Sequence, residues 1–215
     1  MNTTLSKIIG STLLATGVAV SLVAAPTQAA TLGKDLCSTS NISLGGVNST
    51  ACKGSFTGND TGSGNPLLTE LNAGLFTTEF NSNQTVSWSD GGKSEAGQTG
   101  LFGFNADYDS SKGDWGFTTT PPTFNTFVVS LKSSTTYSAY LFKDYDWSKG
   151  LNGVFDTVGV SANKGKGRAL SHASLFVANV TTVTPPPVEV PEPATLVGLG
   201  LAFGGMLASR RRQSH

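Results

Sequence analysis

The 215-residue chain carries 14 Lys plus Arg against 14 Asp plus Glu, a formal net charge of zero, and only 13% of its residues are charged. No basic stripe interrupts that balance, so nucleic-acid binding has no electrostatic footprint here. Two cysteines and two histidines leave little material for a metal cluster or a redox centre.

At the N-terminus, Lys7 precedes an apolar run from Ile8 to Ala25, followed by Thr27-Gln28-Ala29. A positive start, a short apolar stretch and a small-x-small site describe a secretory signal peptide over residues 1–29, cut after Ala29 by signal peptidase. Between Ala30 and Val190 there remain ten Lys plus Arg and thirteen Asp plus Glu, a net of −3. This stretch is long enough for one domain with its own core, expected over residues 30–182.

Cys37 and Cys52 are the only cysteines. Export places them in an oxidising compartment, where pairing is the default. The alternative, a redox or metal pair, lacks a nearby His to complete a zinc site. Residues 38 to 65 are rich in Ser, Thr, Asn and Gly. Asn-x-Ser/Thr triplets begin at Asn41, Asn48, Asn59, Asn83 and Asn179, and they follow that composition. Pro66 to Phe76 is the one stretch with a helical look.

From about residue 84 the pattern predicts short strands. Thr126 to Lys132 places Phe127, Val129 and Leu131 on one face. Thr136 to Phe142 places Tyr137, Ala139 and Leu141 on one face and Tyr140 and Phe142 on the other. The polar run from Lys132 to Thr136 makes the pair a hairpin. Val86–Trp88, Gly100–Phe104, Trp115–Thr118, Val154–Val160 and Leu170–Val180 supply further strands, punctuated by Gly and Asn/Asp. The fold expected is all-β, a single β-sandwich or jelly-roll-like domain.

One heptapeptide recurs. Asp107-Tyr108-Asp109-Ser110-Ser111-Lys112-Gly113 returns as Asp144-Tyr145-Asp146-Trp147-Ser148-Lys149-Gly150, with six of seven positions matching. Three readings compete. Both copies are turns in which Asp bonds the local backbone and Gly takes positive φ. Or the Asp-x-Asp pairs bind calcium, although an EF-hand fails because position six is Lys and position twelve is Thr118 or Phe155. Or Tyr and Trp faces stack on sugar rings while Asp accepts hydroxyl hydrogen bonds. Calcium is thus the one cofactor the sequence brings into view.

Catalysis finds little support. His172 is the only histidine between the two ends, and the strand expected over Leu170–Val180 holds it as a packed or hydrogen-bonded residue. No G-x-S-x-G elbow or H-E-x-x-H is present. Two of the four loop carboxylates would be needed for a glycoside hydrolase. The chain reads as a non-enzyme.

The C-terminal segment has three parts. Residues 183–190 form a Pro-rich spacer through Pro185-Pro186-Pro187, which favours extended polyproline geometry. Pro191-Glu192-Pro193 follows, then an uncharged apolar run from Ala194 to Ala208, then Arg210-Arg211-Arg212. About 15 helical residues span roughly 22 Å, short of the roughly 30 Å hydrocarbon core. Snorkelling arginines close part of that gap and fix a cytoplasmic end. Gly200 and Gly204 form a G-x-x-x-G within a run where glycine is common.

In this order, Val190-Pro191-Glu192-Pro193-Ala194, a glycine-rich apolar helix and a terminal Arg cluster resemble the PEP-CTERM sorting signal of Gram-negative bacteria and cyanobacteria, here over residues 190–213. The resemblance implies recognition by a membrane-embedded exosortase, a cysteine-dependent protease or transpeptidase. It implies a cut near Pro-Glu-Pro and transfer of the body to the cell surface or extracellular matrix. Before processing, the C-terminal helix would hold the protein at the inner membrane. Ala51-Cys52-Lys53-Gly54 with Gly58-Asn59-Asp60, Phe127 to Lys132, and Leu170 to Phe176 also resemble surface proteins of that group. The expected role of the exported chain is a structural or adhesive one at the cell surface or in an extracellular polysaccharide matrix or biofilm, with exopolysaccharide as a partner. The alternatives are a carbohydrate- or calcium-binding surface module and a surface hydrolase. The likeness of these segments implies only a β-rich ectodomain whose molecular role is undefined. It brings no catalytic residue.

Overall fold

The computed structural model describes residues 37–184 together with the single position 201. The hairpin of Phe127–Ser133 and Thr136–Phe142 lies at its centre, in register from Phe127↔Phe142 to Ser133↔Thr136. Both faces of this hairpin are buried. Phe127, Val129, Leu131, Tyr140 and Phe142 enter one apolar cluster, while Val128, Tyr137, Ala139 and Leu141 enter a second. The sequence alternation therefore sorts side chains between two cores rather than between core and water.

In chain order the strands are β1 (Ile42–Leu44), β2 (Val47–Asn48), β3 (Ala51–Thr57), β4 (Gln84–Ser94), β5 (Asn105–Ala106), β6 (Lys112–Gly116), β7 (Phe127–Ser133), β8 (Thr136–Phe142), β9 (Asn152–Asp156), β10 (Ala162–Asn163), β11 (Lys166–Gly167) and β12 (His172–Thr182). One antiparallel sheet has the order β3-β8-β7-β12-β4 and the other β2-β1-β9-β6-β5, with β10 and β11 as a small separate ribbon. Ile42, Leu44, Trp115 and Phe155 of the second sheet share a core with the inward residues of the first. Each fully buried apolar side chain there contributes about 1.5–3 kcal/mol.

The last strand, β12, is interior to the sheet: it pairs with β7 over His172–Val177 and with β4 from Ala173 to Thr182. The outer face of the large sheet is covered by helix α1 (Pro66–Asn72) and a 3-10 turn at Thr77–Glu79. Leu67, Leu71 and Phe76 pack there on Trp88, Val128 and Phe176. Pro66 suits the first helical turn, where its missing N–H costs nothing, and the chain leaves the helix through Gly74 at φ 104°.

Close approach explains one glycine of the small sheet. A Cβ on Gly153 would collide with the Ser43 carbonyl, which also accepts the Trp115 indole N–H at 2.9 Å. The Cys37–Cys52 pairing is present as a disulfide with Cα atoms 6.1 Å apart, tying the start of the described chain to β3.

Three sequence expectations are corrected. Gly100–Phe104 is not a strand: Leu101–Gly103 is a 3-10 turn, with Phe102 and Gly103 at φ 57° and 67°, values no strand adopts. The strand expected over Val154–Val160 ends at Asp156, whose carboxylate accepts the Val158 N–H at 2.9 Å and starts another 3-10 turn. Strands also begin well before residue 84, with β1, β2 and β3 all lying in the polar stretch. The signal peptide over 1–29, the prolines of the spacer, and Pro191, Glu192, Pro193, Arg210, Arg211 and Arg212 of the sorting segment lie outside the described residues. Among the described residues no helix is long and apolar enough to cross a membrane.

Candidate functional site

The repeated heptapeptide folds in two different ways. Its first copy is the β5–β6 hairpin turn. Asp107 Oδ2 accepts the Asp114 N–H at 2.9 Å, and the Asp107 N–H donates to the Asp114 carbonyl. Asp109 takes the left-handed conformation at φ 58° and its N–H donates to the Leu170 carbonyl at 2.9 Å. Tyr108 is half exposed, at 49%. Lys112 pairs with Asp156 at 2.8 Å across the surface, a contact of little energetic weight.

The second copy connects β8 to β9. Here Asp144, the first residue, takes positive φ at 51°. Asp146 Oδ1 accepts the Ser148 N–H at 3.0 Å and caps the 3-10 turn Trp147–Lys149. The Ser148 hydrogen bonds hold the Asp146 carboxyl below the usual carboxylate range. Tyr145 is buried, and its hydroxyl donates to the Gly150 carbonyl at 2.8 Å. The Trp147 indole N–H donates to the Phe124 carbonyl at 2.8 Å, and its ring stacks on Phe127 with centroids 5.5 Å apart. The faces of Tyr145 and Trp147 are therefore engaged in the core.

These two loops do not come together. The first adjoins the Lys112↔Asp156 end of the β6–β9 ladder, the second the Gly116↔Asn152 end. Of the local-turn reading, the Asp contacts to backbone are present in both copies. Positive φ at the terminal glycine occurs at Gly150 alone. Among the described residues, no three His, Cys, Asp or Glu side chains gather as a metal-ligand set.

Sequence reasoning missed a buried polar cluster under the cover of the large sheet. Asp60, fully buried, reaches from the glycine-rich segment after β3 to His172 at the start of β12, with Oδ1 to Nε2 at 2.7 Å. Burial alone would raise the Asp60 pKa. The His172 hydrogen bond and charge, joined by the Ser130 and Ser174 hydroxyls, outweigh it and hold the carboxyl below its ordinary value. Burial pushes the Lys132 ammonium down, against the pull of the Asp60 charge, and its Nζ donates to the Ser134 carbonyl. Burial pushes the Tyr137 hydroxyl up to about 12.

Ser130 and Ser174 lie on the carboxylate side of the Asp–His pair, where neither hydroxyl, nor Asp60 Oδ2, makes a hydrogen bond among the described residues. A nucleophilic serine would instead sit on the imidazole, and a fully buried Asp60 offers no approach to substrate. The cluster holds the covering segment on the sheet. No local signal in Gly58-Asn59-Asp60-Thr61-Gly62 marks that role, because its partner lies 112 positions away.

A groove of about 310 Å3 opens between the end of α1, the segment 76–82 and the outer edge of β4, lined by Leu71, Asn72, Phe76, Phe80, Val86 and Trp88 among others. Asn72 reaches β4 from the helix end. Its Oδ1 accepts the Trp88 N–H at 2.9 Å, and its Nδ2 donates to the Trp88 carbonyl at 3.2 Å. The Lys143 ammonium stands over the Phe80 ring, 5.3 Å from its centroid, and donates to the Glu79 carbonyl at 2.9 Å.

Against this geometry, comparison with known proteins places one signal, and it lies in the tail. Residues 189–212 match the family model of the PEP-CTERM protein-sorting motif. The matched span contains Pro191, Glu192, Pro193 and the Arg210–Arg212 cluster. No curated protein matches the chain, and no solved structure does. The motif marks an exported, exosortase-targeted protein with a membrane-anchored sorting signal before cleavage.

Proposed function

We propose that this protein is a structural or adhesive component of the cell surface or of an extracellular polysaccharide matrix, carried there as the passenger of its sorting tail. The observation that carries the reading is the sorting motif at 189–212, which follows closely on the end of β12 at Thr182. In this reading residues 1–29 direct secretion and are removed. Residues 30–182 form a sandwich-like ectodomain, and 183–190 space it from the membrane. Residues 190–213 anchor the chain until exosortase cuts near Pro191–Pro193. The Cys37–Cys52 disulfide suits an oxidising destination.

Mass spectrometry of the protein recovered from surface and matrix fractions tests this. The expected species ends near Pro191–Pro193 and leaves the matrix fraction when polysaccharide is removed. An intact Arg212 on that species overturns the processing. Recovery that ignores polysaccharide overturns the matrix role.

A further inference from the structure

The groove beside β4 has a gap of defined chemistry. In an antiparallel pair, N–H and C=O groups alternate between facing the partner and facing away. Trp88 donates outward to Asn72, its partner Ala178 donates away from β4 to the Thr126 carbonyl, and Val183 donates across to Asn83. This alternation turns the N–H and C=O of Val86 away from β12, onto the free edge of the sheet.

Both neighbouring N–H donors on that edge are already taken. At Trp88 the Asn72 carboxamide acts as the missing peptide of a next strand. At Gln84 the N–H donates to the Asn81 carbonyl at 2.9 Å, and the side chain accepts the Asn81 N–H at 3.0 Å. The N–H left between them is that of Val86, with its own C=O beside it. An added β-strand needs a continuing row of such pairs, whereas a single amide needs one.

The rest of the lining selects further. Leu71, Phe76, Val86 and Trp88 supply apolar surface, Thr77, Asn81, Ser82 and Gln84 supply neutral polar groups, and no lining residue is charged. The volume lies at the low end for small-molecule sites and suits one sugar ring rather than a chain of them.

We infer that this groove binds a neutral N-acylated amino-sugar unit, its amide pairing with the backbone N–H and C=O of Val86 and its acyl methyl resting on the apolar wall. That the amide belongs to a sugar rests on the matrix role proposed above; the recognition of one neutral amide rests on the groove alone.

The exported protein, as recovered from cells, is titrated by calorimetry with N-acetylglucosamine and its short oligomers. Glucosamine, glucose and an N-acetylated dipeptide amide are run in parallel. The N-acetylated sugars are expected to bind at least about tenfold more tightly than glucosamine or glucose, as loss of a paired amide requires. Val86→Pro removes the outward N–H at an edge position where proline is tolerated. Ala73→Trp fills the groove from an exposed position. Each is expected to weaken binding by about tenfold or more; should Val86→Pro fail to fold, Ala73→Trp decides alone.

Oligomers that bind no better than the monosaccharide support a one-ring site. Equal binding of glucosamine, binding untouched by Ala73→Trp, or no saccharide binding at all overturns the inference. The dipeptide amide binding as tightly as the sugar overturns the sugar assignment. All of these outcomes are read independently of the C-terminal mass that tests sorting.

Discussion

The Nε2 of His172 lies 2.7 Å from the Oδ1 of Asp60, joining the first residue of the interior strand β12 to a glycine-rich segment 112 positions earlier. Asp60 is fully buried and His172 nearly so, so removal of either partner strands the other in a low-dielectric site. Breaking a buried pair in this way costs about 3–5 kcal/mol, a large fraction of the roughly 5–15 kcal/mol that holds a domain. Asp60→Ala and His172→Ala should each destabilise by that amount in urea titration. Lys132, Tyr137 and Glu95 are charge-coupled to the pair and stay in place in both variants.

The same pair sets the acid limb of stability. The folded Asp60 carboxyl is held below its ordinary value of 3.8. A depressed carboxyl contributes its full stabilisation above that ordinary value and loses it as pH falls through the lower folded value. The thermal midpoint of the natural protein should therefore fall as pH drops below about 4. In Asp60→Asn the midpoint should be lower at neutral pH and change less over that acid range. An unchanged acid limb in the variant would assign the effect to other carboxylates.

The two heptapeptides make a second test, because equal sequence meets unequal packing. Trp147 stacks on Phe127 and Tyr145 bonds Gly150 from within the core, whereas Tyr108 is half exposed on its turn. Trp147→Ala should cost about 3–5 kcal/mol. Tyr108→Ala should stay within about 0.5 kcal/mol of the natural protein. Denaturant midpoints of the two variants measure the difference directly, and equal losses would mean that both copies are built into the core.

That contrast also shows where the sequence was readable. The β7–β8 hairpin is legible because Phe127, Val129 and Leu131 alternate with Val128, Ser130 and Lys132, a period of two that only a strand satisfies. What the alternation does not reveal is that the second face is covered too, since the covering residues Leu67, Leu71 and Phe76 come from a distant helix. β3 was hidden because Ala51–Thr57 contains one large apolar side chain, Phe56, among small and polar ones. Its strand state is imposed by pairing with β8. Gly100–Phe104 looked extended from its apolar residues, and positive φ at Phe102 and Gly103 overrides that preference. Asp60 was illegible for a different reason: a carboxylate in a glycine-rich run carries no mark of a partner reached only after the sheet closes. The groove likewise combines α1 with β4 through Asn72, a contact that no local pattern announces.

The disulfide should be worth a measurable share of stability without being the fold's only tie. Cys37 and Cys52 close a loop with a sequence separation of 15, for which restriction of the unfolded chain predicts about 3 kcal/mol. In a domain of this size each kcal/mol moves the midpoint by about 2–4 °C. The Cys37→Ser/Cys52→Ser variant should thus melt about 6–12 °C lower, and reductant should lower the natural protein to the same point. A reductant-insensitive midpoint would show that the pair is not closed in the exported protein.

Sorting and folding should separate along the chain at Thr184. β12 ends at Thr182 and sits between β7 and β4, so every ladder of the large sheet is complete before the residues matched by the sorting motif begin. A chain stopped after Thr184 keeps all of those pairings and loses the whole motif. It should melt within a few degrees of the natural protein yet fail to be retained at the membrane or delivered to the surface. A chain stopped after Ser171 loses β12, leaves β4 without its neighbour, and exposes Ala173, Leu175, Phe176 and Val177 partners in both cores. It should show no cooperative unfolding transition. Melting curves on the two truncations, read beside their cellular fractionation, distinguish a tail that only addresses the protein from one the domain needs in order to stand. Loss of the transition in the chain ending at Thr184 would place part of the fold's stability beyond β12.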